Sequence, residues 1–140
     1  GVVYTPVLGQ LYWGVASEGA WMRDAEEAEH KLEIAPADLT KTGVRVVASR
    51  SHLNEETQRF IDDLQSPEIV SMGSSLKFLM LAEDKADVYP RFAPTMEWDT
   101  GAAQAVVEAA GGQVLRHPEL TPLRYNKENL LNPYFLVRGK

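Results

Sequence analysis

The sequence of 140 residues contains no cysteine, which excludes disulfide bonds, thiolate catalysis and zinc sites built from cysteine. It also has no run of about 18 apolar residues, so we expect no transmembrane segment. The net charge is −6 and the lysines and arginines form no stripe, which argues against a nucleic-acid polymer as partner. A small phosphorylated ligand is still compatible, because it needs only a few local cations.

The first residues lack an initiator methionine and the basic and apolar regions of a signal peptide. Gly1-Val2-Val3-Tyr4 instead resembles the interior of a strand, so we expect the chain to be a piece of a larger protein. The cytoplasm is the expected compartment, with a peripheral position at the inner face of the membrane as the alternative.

The pattern of apolar residues changes twice along the chain. Apolar, β-branched and aromatic residues at 2–7 and 11–16, separated by Gly9-Gln10, predict a β-hairpin. The charged segment 24–43 predicts a solvated excursion with a short strand near 32–34. From residue 44, the pattern predicts strands that alternate with helices of about ten residues. The predicted strands lie at 44–48, 68–71, 86–89, 113–116 and 135–137. The predicted helices lie at 54–65, at 74–82 and after Asp99.

These patterns predict an α/β fold, α+β overall. We expect the hairpin, within residues 1–23, to come from a larger antiparallel sheet, and residues 24–43 to form the polar excursion. Residues 44–140 are predicted to form a substrate-binding domain with a mixed, mostly parallel sheet covered by helices.

Residues 98–112 read Trp-Asp-Thr-Gly-Ala-Ala-Gln-Ala-Val-Val-Glu-Ala-Ala-Gly-Gly, an acid followed by a helix of small residues. Asp99 at a helix start can cap the helix by accepting the N–H of Gly101 or Ala102. It can equally hold a cation, although Mg²⁺ prefers six oxygen ligands and one carboxylate is not a complete site.

Gly73-Ser74-Ser75-Leu76-Lys77 lies between a predicted strand and a helix, a place suited to a phosphate. The alternative is an ordinary Ser74 N-cap with Lys77 in water. Arg91 follows the next strand, and neighbouring parallel strand ends would bring Lys77 and Arg91 together at the carboxyl edge of the sheet.

Other polar and aromatic residues are weaker candidates for a functional site. Ser51 and His52 follow the strand at 44–48, where a histidine is usually a surface residue and a serine a helix cap. Glu97 and Asp99 are two residues apart and should not face the same way on a helix, and we expect Glu108 to be solvated. The aromatic residues Tyr12, Trp13 and Trp21 suit packing within the hairpin. Residues 125–134 receive no predicted role.

The string at 98–112 resembles the C-terminal signature of the inositol-monophosphatase superfamily of metal-dependent phosphatases. Further similarities run along the chain: Gly-Val-Val-Tyr-x-Pro at the start, Ser-Arg-Ser-His at 49–52, Gly-Ser-Ser-Leu-Lys-Phe at 73–78 and Tyr-Pro-Arg-Phe at 89–92. Together they resemble the second half of the bacterial 3′(2′),5′-bisphosphate nucleotidases, which convert adenosine 3′,5′-bisphosphate into AMP and phosphate.

The resemblance implies a Mg²⁺ cofactor held in part by Asp99, and a phosphorylated nucleotide bound by Ser51, His52, Ser74, Lys77, Arg91 and Asp99. It also implies two metal motifs upstream of the hairpin, a Glu-Glu pair and Asp-Pro-x-Asp-Gly-Thr, and neither precedes the hairpin here. We therefore expect this chain alone to be inactive, and we expect its hairpin at 2–16 to associate with the missing N-terminal half or with itself. An inositol monophosphate as substrate, or phosphonucleotide binding without catalysis, are the alternatives.

Overall fold

A computed structural model describes residues 1–48 and 53–140. The chain begins with a four-stranded antiparallel meander, here called sheet A, in the order β1-β2-β3-β4. Its strands are Val2–Thr5 (β1), Gln10–Val15 (β2), Gly19–Arg23 (β3) and Glu29–Leu32 (β4). The predicted hairpin corresponds to β1 and β2, and the structure extends it by two strands. Trp13 and Trp21 pair across β2 and β3 with their rings stacked 6.2 Å apart, which agrees with a packing role.

The second sheet, sheet B, has five strands in the order β6-β5-β7-β9-β8. Its strands are Arg45–Val47 (β5), Glu68–Val70 (β6), Val88–Arg91 (β7), Gly112–Arg116 (β8) and Phe135–Gly139 (β9). Strand β5 runs parallel to β6 and β7, whereas β9 runs antiparallel to β7 and β8. The predicted fold class, an antiparallel sheet followed by a mixed sheet with helices, is confirmed.

Three helices cover the sheets: Glu55–Asp62 (α1), Leu76–Ala82 (α2) and Glu97–Ala109 (α3). Asn54 caps α1, because its side chain accepts the N–H of Thr57 at 2.9 Å. In the described residues no helix is both long and apolar enough to cross a membrane.

The elements stack as four layers: sheet A, then α2 with α3, then sheet B, then α1. On β5, Val46 packs toward α1 and Val47 toward the helix pair, since successive strand residues face opposite sides. Helix α3 is buried on two faces, with Val106 in the cluster that includes sheet A and Val107 in the cluster that includes sheet B. The helix that carries Asp99 is therefore fixed by both sheets.

Sheet A approaches α3 so closely that a glycine is required at the contact. A Cβ atom on Gly14 of β2 would lie 2.7 Å from the Cα atom of Val106 and 3.0 Å from the Cβ atom of Ala109. The backbone of α3 cannot move away without disturbing its packing on sheet B. The glycine and the alanine-rich helix thus have complementary shapes.

A network of charges joins the amino-terminal ends of β5 and β7. The Asp87 carboxylate accepts hydrogen bonds from the Arg45 backbone N–H at 2.7 Å and from its guanidinium at 2.8 and 3.2 Å. Partial burial alone would raise the pKa of Asp87, but the hydrogen bonds from Arg45 outweigh it and lower the pKa to about 2. Asp87 is thus a structural residue of sheet B.

We predict that Gly14→Ala destabilises the protein by about 1–3 kcal/mol, because the added methyl group overpacks the contact with α3. Gly101→Ala is the matched control: a Cβ there would meet only Tyr125 at 3.5 Å, and alanine is the better helix former by up to about 1 kcal/mol. Urea unfolding measures both variants. A Gly14→Ala protein as stable as the parent would contradict the close approach of sheet A to α3.

We predict that Asp87→Asn lowers the free energy of unfolding at pH 7 by about 2 kcal/mol, in proportion to the pKa shift. Because the pKa of Asp87 is lower in the folded state, its stabilisation is complete above the unfolded pKa of about 4 and is lost as the pH falls toward 2. The stability difference between parent and variant should therefore shrink over that pH range.

Asp84→Asn is the control for Asp87→Asn, since Asp84 pairs with the same Arg45 but its side chain is 73% exposed. Exposed ion pairs contribute little to stability, so this variant should unfold almost like the parent. Equal losses in the two variants would contradict the distinct role of Asp87.

Candidate functional site

A cavity of about 500 Å³ lies between the start of α2, the end of β7 and the start of α3. Four of the residues predicted from sequence line it: Ser74, Lys77, Arg91 and Asp99. Tyr89, Thr95, Trp98 and Phe135 line it as well. Ser51 and His52 lie outside the described residues, so their predicted role stays a prediction.

The carboxyl ends of parallel strands bring these residues together, as expected, but not by the expected route. Lys77 and Arg91 do not follow neighbouring strands, because β5 lies between β6 and β7 in sheet B. Lys77 reaches the cavity from the first turn of α2, which crosses over the sheet after β6. The Lys77 Nζ atom lies 5.9 Å from the centre of the Tyr89 ring, a distance at which a cation is attracted to the aromatic face.

Lys77 and Arg91 form a positive region inside an acidic protein. Burial lowers the pKa of the Lys77 amine, and the nearby positive charge of Arg91 lowers it further. Among the described residues, neither cation has a carboxylate within 4.0 Å, and the buried Nε atom of Arg91 has no hydrogen-bond acceptor. An anion between the two cations would relieve their repulsion.

Burial also raises the pKa of Tyr89 to about 12, although the nearby positive charge of Arg91 acts in the opposite direction. Tyr89 thus remains a neutral phenol at physiological pH. It forms part of the cavity wall beneath Lys77.

Ser74 is not the N-cap of α2. The N-cap position belongs to Ser75, whose side chain makes no capping hydrogen bond, and Ser74 has a left-handed φ of +53°. Such a φ is uncommon outside glycine and is often found at functional sites. The alternative of an ordinary Ser74 N-cap is therefore wrong, whereas Lys77 is half-buried at the cavity and its predicted role stays a prediction.

Asp99 lies in the first turn of α3, three residues after the N-cap residue Met96. Its Oδ2 atom accepts the backbone N–H of Met96 at 2.8 Å, so the expected cap to Gly101 or Ala102 is wrong. A carboxylate at this position satisfies a free amide and interacts favourably with the helix dipole. Among the described residues, Oδ1 has no hydrogen-bond partner and is available to the cavity.

The other acidic residues are engaged elsewhere or exposed. Glu97 accepts backbone N–H groups from Asn126 at 2.7 Å and Lys127 at 3.2 Å, and it also pairs with the Lys127 amine. Glu108 is exposed, as expected, and accepts from Gln104. In the described part of the chain, no three histidine or acidic side chains are placed to hold a metal ion together.

The segment 130–132, for which the sequence predicted no role, pairs with the chain at the start of α3. Glu97 donates its N–H to Leu130 at 3.0 Å, and Asn132 donates its N–H to Thr95 at 2.8 Å. Asn132 is only 4% exposed. A buried asparagine in an irregular polar segment has no periodic signal, so only the structure identifies it.

Comparison with known proteins places these features in one family. The model of the inositol monophosphatase family matches residues 1–133. Two curated relatives carry the name 3′(2′),5′-bisphosphate nucleotidase CysQ: one from Salmonella typhimurium is 41% identical and one from Escherichia coli K12 is 42% identical. Each alignment covers 98% of this chain and 53% of the relative, so the chain spans about half the length of these proteins.

Solved structures agree on the fold. The crystal structure of CysQ from Bacteroides thetaiotaomicron matches with a TM-score of 0.87 and 43% identity, over 100% of this chain and 57% of that one. A staphylococcal IMPase-II matches over 100% of this chain and 51% of its own length with a TM-score of 0.78, but at 16% identity it supports the fold alone. The family model and the relatives at 41–43% identity show that this chain belongs to the inositol monophosphatase family.

Proposed function

We propose that this chain is the C-terminal half of a Mg²⁺-dependent phosphatase that converts adenosine 3′,5′-bisphosphate into AMP and phosphate. The convergence of Asp99 with Lys77 and Arg91 on one cavity is the observation that supports this most directly. An acid and two cations on facing walls suit a ligand that carries both a metal-bound phosphate and a second phosphate. The names of the CysQ relatives point to the same class of substrate.

Asp99 fits the role of one metal ligand. Carboxylate oxygens are the donors that Mg²⁺ prefers, and the bond from Met96 to Oδ2 fixes the orientation of the carboxylate. The remaining ligands would come from residues outside this chain, because no group of three histidine or acidic side chains among the described residues is placed to hold a metal ion. Mg²⁺, when bound, would lower the pKa of the attacking water and neutralise charge on the phosphoryl oxygens.

Lys77 and Arg91 would bind the phosphate that is not cleaved. Charge-assisted hydrogen bonds to phosphate are stronger than neutral ones, and the partial burial of Lys77 reduces competition from water. Arg91 also donates to the Pro94 carbonyl at 3.3 Å, which orients its guanidinium toward the loop before α3. Ser74, at the rim of the same cavity, would offer its hydroxyl to the same phosphate.

The edge of sheet A supports the predicted partner. Val2 and Tyr4 on the edge strand β1 are 62% and 59% exposed, and Val7 in the following turn is 98% exposed. Exposed apolar edges favour pairing with another chain segment. The preceding half of the protein is the proposed occupant, and self-association through residues 2–16 is the alternative.

We predict that the 140-residue chain releases no phosphate from adenosine 3′,5′-bisphosphate in the presence of Mg²⁺. The protein that includes the upstream half should release phosphate under the same conditions. In that longer protein, Asp99→Asn should slow release at least about 100-fold, because metal binding contributes several kcal/mol to catalysis. Asparagine keeps an acceptor for the Met96 N–H, so the start of α3 should be preserved.

Glu108→Gln is the control for Asp99→Asn, since it neutralises an exposed acid on the same helix that faces away from the cavity. It should leave the rate unchanged. Absence of phosphate release by the longer protein would contradict the proposed activity, and a fully active Asp99→Asn variant would contradict the assigned metal ligand.

We predict that Lys77→Met in the longer protein lowers kcat/KM for adenosine 3′,5′-bisphosphate about 10- to 100-fold, since a hydrogen bond to a charged group contributes about 1.5–3 kcal/mol. The value for 3′-AMP, which has no second phosphate, should change far less. Lys85→Met is the control, because Lys85 lies beyond the end of α2 and pairs with Glu83 at 2.6 Å.

Equal losses of activity on the two substrates would contradict a role for Lys77 in binding the second phosphate. A parent protein that prefers inositol 1-phosphate to both nucleotides would support the alternative substrate.

A further inference from the structure

We propose that Asn132 is a positioning residue that fixes the direction of the Asp99 carboxylate through Met96. The proposal rests on the proposed function, because it concerns the metal ligand assigned there. Asn132 lies 33 positions after Asp99 and outside the cavity that Asp99 lines. Its effect would therefore be transmitted through the first turn of α3.

The segment containing Asn132 forms a short antiparallel pair with the residues before α3. Met96 and Leu131 form an isolated β-bridge, and the two backbone hydrogen bonds between Thr95–Glu97 and Leu130–Asn132 flank it. This pairing fixes the backbone where the chain enters the helix. It also brings the Asn132 side chain against the N-terminal turn of α3.

The buried Asn132 amide donates to groups in that turn. Its Nδ2 atom lies 3.0 Å from the Met96 carbonyl oxygen, 3.0 Å from the Thr100 hydroxyl and 3.2 Å from the Thr95 hydroxyl. A side-chain amide has two hydrogens, so three acceptors at these distances fully occupy its donor capacity. Its orientation is set by the Met96 carbonyl, which can only accept a hydrogen bond.

Met96 is held on both of its polar groups. The Asn132 amide binds its carbonyl oxygen, and the Asp99 carboxylate binds its N–H at 2.8 Å. The Met96 carbonyl also accepts the Asp99 backbone N–H at 3.0 Å. Loss of the Asn132 amide would therefore loosen the residue against which the Asp99 carboxylate is oriented.

Further links make the turn rigid around this contact. The Thr100 hydroxyl lies 2.9 Å from the Tyr125 hydroxyl, which in turn lies 2.7 Å from Gln104 Oε1. The Glu97 carboxylate, in the same turn, accepts the backbone N–H groups of Asn126 and Lys127. Besides Asp99 itself, Asn132 is the side chain in this network that bonds directly to the Met96 backbone, at its carbonyl oxygen, so its removal tests the orientation of Asp99 most specifically.

The test measures metal affinity rather than turnover, in the protein that includes the upstream half. Electron paramagnetic resonance titration with Mn²⁺ as probe should show about 10-fold weaker binding for Asn132→Ala, within the range found when groups that orient a metal ligand are removed. The KM for adenosine 3′,5′-bisphosphate at saturating Mn²⁺ should be nearly unchanged, because Asn132 does not line the cavity. The Met96 amide should exchange its hydrogen faster than in the parent.

Asn129→Ala is the matched control, since Asn129 lies in the same segment and caps only the exposed Leu131 N–H at 3.0 Å. It should leave Mn²⁺ affinity unchanged. Asn132→Ser, which keeps a hydroxyl donor, should show intermediate affinity, and it serves as the test if Asn132→Ala does not fold.

The positioning role would be overturned if folded Asn132→Ala binds Mn²⁺ as tightly as the parent while Asp99→Asn binds it more weakly. If the alanine variant does not fold, the same result in folded Asn132→Ser would overturn it. A protein in which Asp99→Asn binds Mn²⁺ as tightly as the parent would overturn the assigned ligand and the positioning role together. If the Mn²⁺ dissociation constant and the KM for adenosine 3′,5′-bisphosphate rise by the same factor in the Asn132 variant, Asn132 acts through general stability and the proposal is wrong.

Discussion

Helix α3 packs against sheet A on one side and sheet B on the other, which leaves room only for small side chains along much of its length. Gly14 of β2 allows the backbone of sheet A to approach Val106, while Val107 and Ala103 pack toward sheet B. Close packing on both faces makes the helix a rigid support. Because Asp99 lies in its first turn, the position of the candidate site follows from how this helix fits between the sheets.

The distribution of charge in the cavity depends on where the acidic residues are held. The chain has a net charge of −6, yet Lys77 and Arg91 line one cavity, and among the described residues neither cation has a carboxylate within 4.0 Å. Asp87 pairs with Arg45 at the amino-terminal ends of β7 and β5, and Glu97 at the start of α3 pairs with Lys127. These ion pairs hold Asp87 and Glu97 away from the two cations, so Asp99 is the acid that shares their cavity and an anion can still bind between Lys77 and Arg91.

Capping and cation binding, which the sequence analysis treats as alternatives for Asp99, do not exclude one another in this geometry. One carboxylate oxygen accepts the Met96 N–H at the start of α3, and the other faces no partner in the described residues. Capping therefore orients the side chain without occupying it fully. This arrangement is consistent with a metal ligand, because a carboxylate held by a backbone bond needs little reorganisation when a cation binds.

Local sequence patterns predicted the hairpin and the alternation of strands and helices, and they also singled out Ser74, Lys77, Arg91 and Asp99, which line one cavity. Each of these depends on local periodicity, on turn residues or on a family string of adjacent residues. The three-dimensional fold was needed to show that β5 separates β6 from β7, that Ser75 and Met96 are the N-caps, and that the Asn132 amide bonds to the start of α3. Strand order, cap geometry and the burial of an irregular segment depend on contacts between residues far apart in the chain, which local sequence patterns do not encode.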